Sequence, residues 1–508
     1  MKRTGLVAFL LCLVFFSGHP LAQAADPRPR TGFLALAPDR GFLGNREVES
    51  LFEAFSRDYP AALAYVSRGY GDPGRAYDQY LERALESLES QGVQRAVAIP
   101  LFLSGRDPVA RDVRNRLAAY KTRIAIEWAP PMSEDYLIAQ ILLDRVRELS
   151  RDPENERLVV LGMGAVDEES EKALKEDLEK LAKYVTGRLP LKETKVALYY
   201  DRDAEKELRE RKNKETDRLI IDAAAKKGGA LLVPFVMGPK YSHHMSLTHW
   251  LGAKFEDYDL RISAGEILPH DNVLTWMRKT ANRHTPAEPR HVGVVIMPHG
   301  AQKPYNDAIE QAVAPLREKY PVEMAYGMAD PWTLAEAVRK LEAKGARKIV
   351  VARMYSLADQ FKDETDYILG LTGVPPETRG RPLPPRVRSS AVFAAFGGYE
   401  EDPLICEILK DRTLAVSRKP ETERVLLIAH GARDDEHDRR WKELMKKHAD
   451  YIQGQTQGAF KEILGLTVRE DWPDKREKAL EEIRGLIREG SRTGRTLIIS
   501  NRLYGSGR

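Results

Sequence analysis

Short apolar runs alternate with amphipathic stretches along almost the whole chain. The runs at 33–37, 94–103, 157–163, 193–200, 230–237, 291–298, 347–355, 424–430 and 496–500 read as strands buried on both faces. Between them, Asn45–Arg57, Ala76–Ser90, Glu168–Lys183, Tyr305–Lys319, Trp332–Lys344 and Asp435–Tyr451 carry helical spacing. Many of these begin near an Asp, Asn or Ser, whose side-chain oxygen caps the exposed amides of a first turn. Regular alternation of strand and helix predicts an α/β fold of parallel βαβ units.

The pattern repeats. Glu134-Asp-Tyr-Leu-Ile-Ala-Gln-Ile-Leu-Leu-Asp-Arg145 returns as Glu401-Asp-Pro-Leu-Ile-Cys-Glu-Ile-Leu-Lys-Asp-Arg412, 267 residues on. Arg157-Leu-Val-Val-Leu-Gly-Met163-Gly-Ala165 returns at the same offset as Arg424-Val-Leu-Leu-Ile-Ala-His430-Gly-Ala432. The repeating object is a two-lobe unit used twice. Polar, proline-bearing joints at Ser150–Glu156, His284–Arg290 and Ser417–Glu423 divide it into lobe 1 (25–151), lobe 2 (152–284), lobe 3 (285–420) and lobe 4 (421–508). By the 267-residue offset lobe 4 reaches only its third strand, so it is expected to be incomplete. Gly373–Pro385 is proline-rich and is expected to be a stiff, solvated loop inside lobe 3.

The N-terminus adds an address. Met1-Lys2-Arg3, an apolar run from Leu6 to Phe16 and Ala22-Gln23-Ala24 form the pattern of a cleavable signal peptide over 1–24, which implies an exported, periplasmic protein. The run is shorter than the roughly 20 residues a membrane span requires, so no stable membrane anchor is expected. Cleavage removes Cys12 and leaves Cys406, read as a core thiol, so packing rather than disulfides must supply stability. Lys and Arg (80) nearly balance Asp and Glu (76), and no basic stripe carries interleaved aromatics, which excludes nucleic acid as partner.

Two strands end alike, in His299-Gly300-Ala301 and His430-Gly431-Ala432. Ligands of open α/β sheets bind at the carboxyl ends of strands, and neutral imidazole suits borderline divalent metals and accepts a proton near neutral pH. Gly300 and Gly431 would let backbone approach a flat ligand. The competing reading of each histidine is a structural one, bonding the next loop. Tyr241-Ser242-His243-His244-Met245 offers a second candidate metal position, of which one imidazole at most can point the right way. His270, His284, His291, His437 and His448 read as surface or joint residues. No dinucleotide glycine fingerprint, phosphate loop, Cys-x-x-Cys or nucleophile elbow is present.

The strand-His-Gly-Ala run, followed by a helix, a strand, Asp330-Pro331 opening a helix, Gly345 and an apolar strand, resembles the class II chelatases. It is most similar to their sirohydrochlorin cobaltochelatase group, of cobalamin and sirohaem synthesis. In lobe 1, Gln91-Gly92-Val93 through Ser104, with Asp112 beyond, is similar to the family's third strand and its turn. The resemblance implies two-lobe α/β units with a tetrapyrrole cleft, and insertion of Co²⁺, Fe²⁺ or Ni²⁺ into a sirohydrochlorin-like ring without a nucleotide. It implies a histidine after the first strand, which here is His299 or His430, but Met163 in lobe 2 and Ala37-Pro38-Asp39 in lobe 1. A histidine after the third strand would fall near Pro108 and Gln360, and in lobe 2 at His243 or His244. A carboxylate after the second strand would fall at Met328 in lobe 3. No lobe keeps both histidines. The alternative is a non-catalytic periplasmic metal- or tetrapyrrole-binding protein derived from a chelatase.

Overall fold

The computed structural model describes residues 30–66, 74–237, 247–378, 380–399 and 402–501. The segment read as a signal peptide and the pair His243 and His244 lie outside the described residues.

Lobe 1 runs β1 (Thr31–Pro38), α1 (Gly41–Ser56), β2 (Ala61–Val66), α2 (Gly74–Ser90), β3 (Arg95–Pro100), α3 (Pro108–Ala119), β4 (Ala125–Trp128) and α4 (Tyr136–Leu149). Lobe 2 follows with β5 (Arg157–Ala165), α5 (Glu168–Thr186), β6 (Glu193–Tyr200), α6 (Lys206–Ala224), β7 (Ala230–Pro234), α7 (Leu247–Lys254), β8 (Leu260–Ile262) and α8 (Asp271–His284). Lobe 3 has β9 (Val292–Pro298), α9 (Lys303–Val313), β10 (Val322–Met324), α10 (Pro331–Ala343), β11 (Lys348–Met354), α11 (Lys362–Ile368), β12 (Val392–Gly397) and α12 (Pro403–Val416). Lobe 4 has β13 (Arg424–Ala429), α13 (Asp435–Gln455), β14 (Glu462–Thr467), α14 (Pro473–Gly490) and β15 (Thr496–Ser500).

The sheets are ordered β2-β1-β3-β4, β6-β5-β7-β8, β10-β9-β11-β12 and β14-β13-β15, and every pairing is parallel. The α/β expectation of four sheets flanked by helices holds, with three strands in the last sheet among the described residues. In each sheet the first strand is central, so the loop after it opens in the middle of the sheet's carboxyl edge. Val294 stands level with Val322 and Val350, and that register carries β9 forward to deliver His299 beside the end of β11.

The lobes are not independent beads. One continuous core includes Phe33, Val97 and Ile99 of lobe 1, Leu142 of α4, Leu178 and Val233 of lobe 2, and Trp276 of α8. The last helices are exchanged: α4 packs on α5 and β7, while α8 packs on α1 and β3. Lys279 of α8 donates to Asp135, the N-cap of α4, at 3.0 Å, and both side chains are 7% exposed. Burial pulls the lysine down and Asp135 opposes the shift. In the second pair α12 packs on α13 and β15 of lobe 4, where Leu409 lies at the position of Leu142.

Each pair is pinned at its internal joint by a buried glutamate. Glu156 accepts from Ser150 Oγ at 2.6 Å, from the Arg151 and Asp152 amides at 2.9 Å, and pairs with Arg261 at 2.7 Å. Burial alone would raise its pKa, but these donors hold it down at about 2. Glu423 repeats the device, taking Ser417 at 2.5 Å and the Arg418 amide at 3.1 Å. Its cation is Arg495, at 2.8 Å, which comes from the approach to β15, whereas Arg261 stands on β8.

Lobe 3 docks on the first pair through residues 386–390. Arg386 lies over the rings of Tyr367, Tyr136 and Tyr184 at 4.1, 5.2 and 5.9 Å. Tyr136 Oη donates to the Val387 carbonyl at 2.7 Å, and Gln140 donates to that of Arg386 at 3.2 Å.

Two smaller readings change. Cys406 is half-buried rather than a core thiol, because the exchanged α12 covers lobe 4 with one face only, on which Ile405 and Leu409 sit. His448 is 1% exposed, on the buried face of α13 with Met445 and Ala449, so it is a core residue and not a surface one.

Candidate functional site

The strand-end loops share one construction. In lobe 3 the Ala301 amide donates to Asn306 Oδ1 at 3.1 Å, and in lobe 4 the Ala432 amide reaches Asp438 Oδ1 at 3.3 Å. Lobe 1 uses Asn45 for the Arg40 amide and lobe 2 uses Ser170 for that of Val166, both at 3.0 Å. A polar side chain on the following helix thus turns the chain out of the strand and presents the preceding residue at the edge. Gly300 and Gly431 stand at φ +78° and +80°, where L side chains are strained. A Cβ on Gly431 would lie 2.7 Å from Asp438 Oδ1 and 2.9 Å from Thr467 Cβ. Both glycines are therefore required by the loop itself, whatever ligand approaches.

His299 is exposed, and its Nδ1 lies 2.7 Å from the Gly300 carbonyl. Only a protonated Nδ1 can make that bond, which leaves the Nε2 lone pair of the neutral ring directed away from the backbone, the arrangement a metal ligand needs. His430 repeats the contact, with Nδ1 3.0 Å from the Gly431 carbonyl. Here Nε2 lies 3.1 Å from Asp471 Oδ2, and Trp472 meets the ring edge-on at 5.7 Å between centroids. Nε2 of this ring therefore faces a carboxylate oxygen, whereas that of His299 has no such neighbour among the described residues.

The His430 loop is clasped from the second-strand side. Arg469 Nε donates to the Ala432 carbonyl at 2.8 Å, Nη2 bonds the Arg433 carbonyl, and Nη1 pairs with Asp435 at 2.6 Å. Asp435 is held at about 2, first by its bond from Lys475 and then by that from Arg469. Asp434 is likewise held at about 2 by the amide and ring of His437. Arg469 itself sits at φ +48°, a strained conformation for a side-chain-bearing residue.

Asp471 and Arg469 are the residues that sequence reasoning missed. Asp471 lies in the loop between β14 and α14, after lobe 4's second strand, as Met328 lies in the loop after lobe 3's second strand. The signal was the run Arg469-Glu470-Asp471 between β14 and a proline-opened helix. Met328 and Trp332 of lobe 3 are 57% and 70% exposed, on the same edge as His299.

No hydrogen bond or ion pair links His299 to His430 among the described residues, and no group of three His, Cys, Asp or Glu side chains there could hold a metal. Besides α12, the loop after β11 joins their lobes. Arg353 donates to the carbonyls of Gln360 and Ala358 at 2.8 and 2.9 Å. Leu357 enters the lobe 4 core, and Asp359 pairs with Arg440 of α13. The third-strand position of lobe 3, Gln360, therefore belongs to a strap between lobes.

The cleft of the first pair has other contents. Met163, Met237, Phe102, Phe235 and Arg40 line a cavity of about 70 Å³ at the strand ends. Behind it Glu266, 4% exposed, is pushed up to about 7 by burial, against the pull of Arg40, and its Oε2 has no hydrogen-bond partner.

No curated protein and no solved structure is similar to the chain at a significant level. The match to a known family falls on α2 through α4 of lobe 1, the stretch with the third-strand turn. Class II chelatases take a divalent metal ion and a tetrapyrrole as substrates. Residues 75–149 match the CbiX family model, so that stretch of lobe 1 is similar to a class II chelatase domain.

Proposed function

We propose that the chain is an exported metal chelatase whose working edge is that of lobes 3 and 4. It inserts Co²⁺, or Fe²⁺ or Ni²⁺, into a sirohydrochlorin-like tetrapyrrole without a nucleotide. The observation that carries this reading is the pair of strand-end imidazoles, His299 with a directed Nε2 and His430 backed by Asp471. Insertion expels two pyrrole protons for each metal bound. His299 would hand over the metal, since a neutral imidazole binds borderline divalent ions and releases them to a stronger chelator. His430 would take a proton, because Asp471 stabilises the imidazolium that forms.

The mature protein, incubated anaerobically with sirohydrochlorin and each metal in turn, is expected to accelerate the absorption change of insertion. His299→Ala should chiefly raise the KM for metal, and His430→Ala and Asp471→Asn should chiefly lower kcat, each by tenfold or more. No acceleration over the uncatalysed reaction, or unchanged constants in all three variants, would sink the assignment.

A second reading, a periplasmic carrier of metal or tetrapyrrole, is favoured by Met163 and Gln360 standing where chelatase histidines are expected. Tight binding of Co²⁺ or of the ring by a protein that shows no turnover would select it.

A further inference from the structure

At the opposite end of the sheets, where strands begin, lobes 1, 2 and 3 enclose a polar groove of about 460 Å³. Tyr59 comes from the entry to β2, Arg278 from α8, and Arg347 and Ser389 from the entries to β11 and β12. Its carboxylates are already engaged. Asp58 pairs with Arg278 Nη2 at 2.7 Å, and Glu342 Oε1 accepts the Ser390 amide and hydroxyl at 2.9 and 2.8 Å. Arg388 at the rim is taken by Asp144 at 2.7 Å.

The donors are less well matched. The Arg347 guanidinium lies 5.5 Å over the Tyr59 ring and has no acceptor among the described residues. Arg278 Nε is buried without a partner. The buried Ser389 hydroxyl accepts from the Ala391 amide at 3.0 Å, leaving its own proton uncommitted. Buried donors without acceptors are costly, and an arginine kept against an aromatic face with no counter-ion is half of a recognition site.

We infer that this groove binds a small oxyanion, a phosphate or carboxylate group, on Arg347, the Arg278 Nε–H and the Ser389 hydroxyl. The planar guanidinium supplies two parallel donors matched to two oxygens of such a group. Because the donors come from lobes 2 and 3, the bound anion also ties lobe 3 to the first pair. The site is at the end of the sheets remote from His299 and His430, so it stands or falls apart from the chelatase reading.

The test is calorimetric titration of the mature full chain with inorganic phosphate and, separately, citrate, at constant ionic strength set with chloride. Wild type is expected to bind at least one of them, Arg347→Ala at least tenfold more weakly, and Arg347→Lys in between. Binding of both assigns a general oxyanion site, and binding of citrate alone assigns a carboxylate site. Equal binding by wild type and Arg347→Ala, or no binding by wild type, overturns the inference. Circular dichroism of Arg347→Ala, matching wild type, separates lost binding from lost folding.

Discussion

The two halves of this chain descend from one pattern and have been finished differently. Lobes 1 and 2 share a single core, exchange their last helices and lock them with the buried Lys279–Asp135 pair. Their strand ends carry Met163 and an alanine-proline turn, and the described residues there line a cavity of about 70 Å³. Lobes 3 and 4 have separate cores joined by α12 and the strap around Leu357. Their strand ends carry histidines, and Ala329, Phe361 and Arg469, at φ +53°, +55° and +48°, concentrate backbone strain in the loops around them. Strain of this kind persists only where surrounding structure holds it, and it gathers where geometry is used. Within one fold, the first half lines its cleft mostly with apolar side chains, and the proposed function assigns the chemistry to the polar edge of the second half.

The largest effect should come from unlocking the scaffold. Lys279→Ala leaves the buried Asp135 with only the more distant Arg283, at 3.6 Å, and is expected to cost about 3 kcal/mol, read as a lower urea midpoint. If lobes 1 and 2 were separate units, only part of the unfolding amplitude would shift.

Next come the matched leucines. Leu142→Ala and Leu409→Ala each delete a buried side chain and should cost about 2–4 kcal/mol. Hydrogen exchange should show lobes 1 and 2 loosened together by the first, and α12 and lobe 4 alone by the second. Equal spread in both would erase the contrast between one core and two.

The joint glutamates sharpen it by pH. The folded-state pKa of Glu156 is depressed to about 2, so its contribution is full above its unfolded value and is lost as pH falls from there towards 2. Acid titration of stability should show this loss, of about 2–3 kcal/mol, and Glu156→Gln should flatten it. An unchanged acid profile in the variant would place the pH sensitivity elsewhere.

The smallest effect is expected at the first cleft. Met163→His places an imidazole at the strand end of lobe 2, yet should add no Co²⁺ site detectable by calorimetry, because the side chains beside it are mostly apolar. A new stoichiometric site would show that the residue, not its apolar neighbours, had silenced that half.

The central strands could be read from the sequence because both of their faces are covered. Leu158–Leu161 and Val425–Leu427 are buried without interruption, and each appears in the chain as an unbroken apolar run. Several edge strands escaped, though β6 and β15 did not: β8 and β10 are three residues long, and β14 is half-exposed over most of its length. Asp471 escaped with them, since a residue after an unread strand cannot be placed beside a histidine 41 positions earlier. His299 and His430 were legible because each ends an unbroken apolar run with the same His-Gly-Ala. The docking of 386–390 was not, because the cage around Arg386 assembles three tyrosines from three distant segments.

The strap after β11 has a mechanical consequence. Under the proposed function the two lips of a cleft part to admit a flat macrocycle, and the first pair, with a core through both lobes, has no seam along which to part. In the second pair the lips meet at Leu357 and the Asp359–Arg440 contact, while Arg353 fixes the root of the loop to β11. An opening of lobes 3 and 4 would turn about this loop together with α12, which packs on α13 and β15, and the two act as the fulcrum of a jaw.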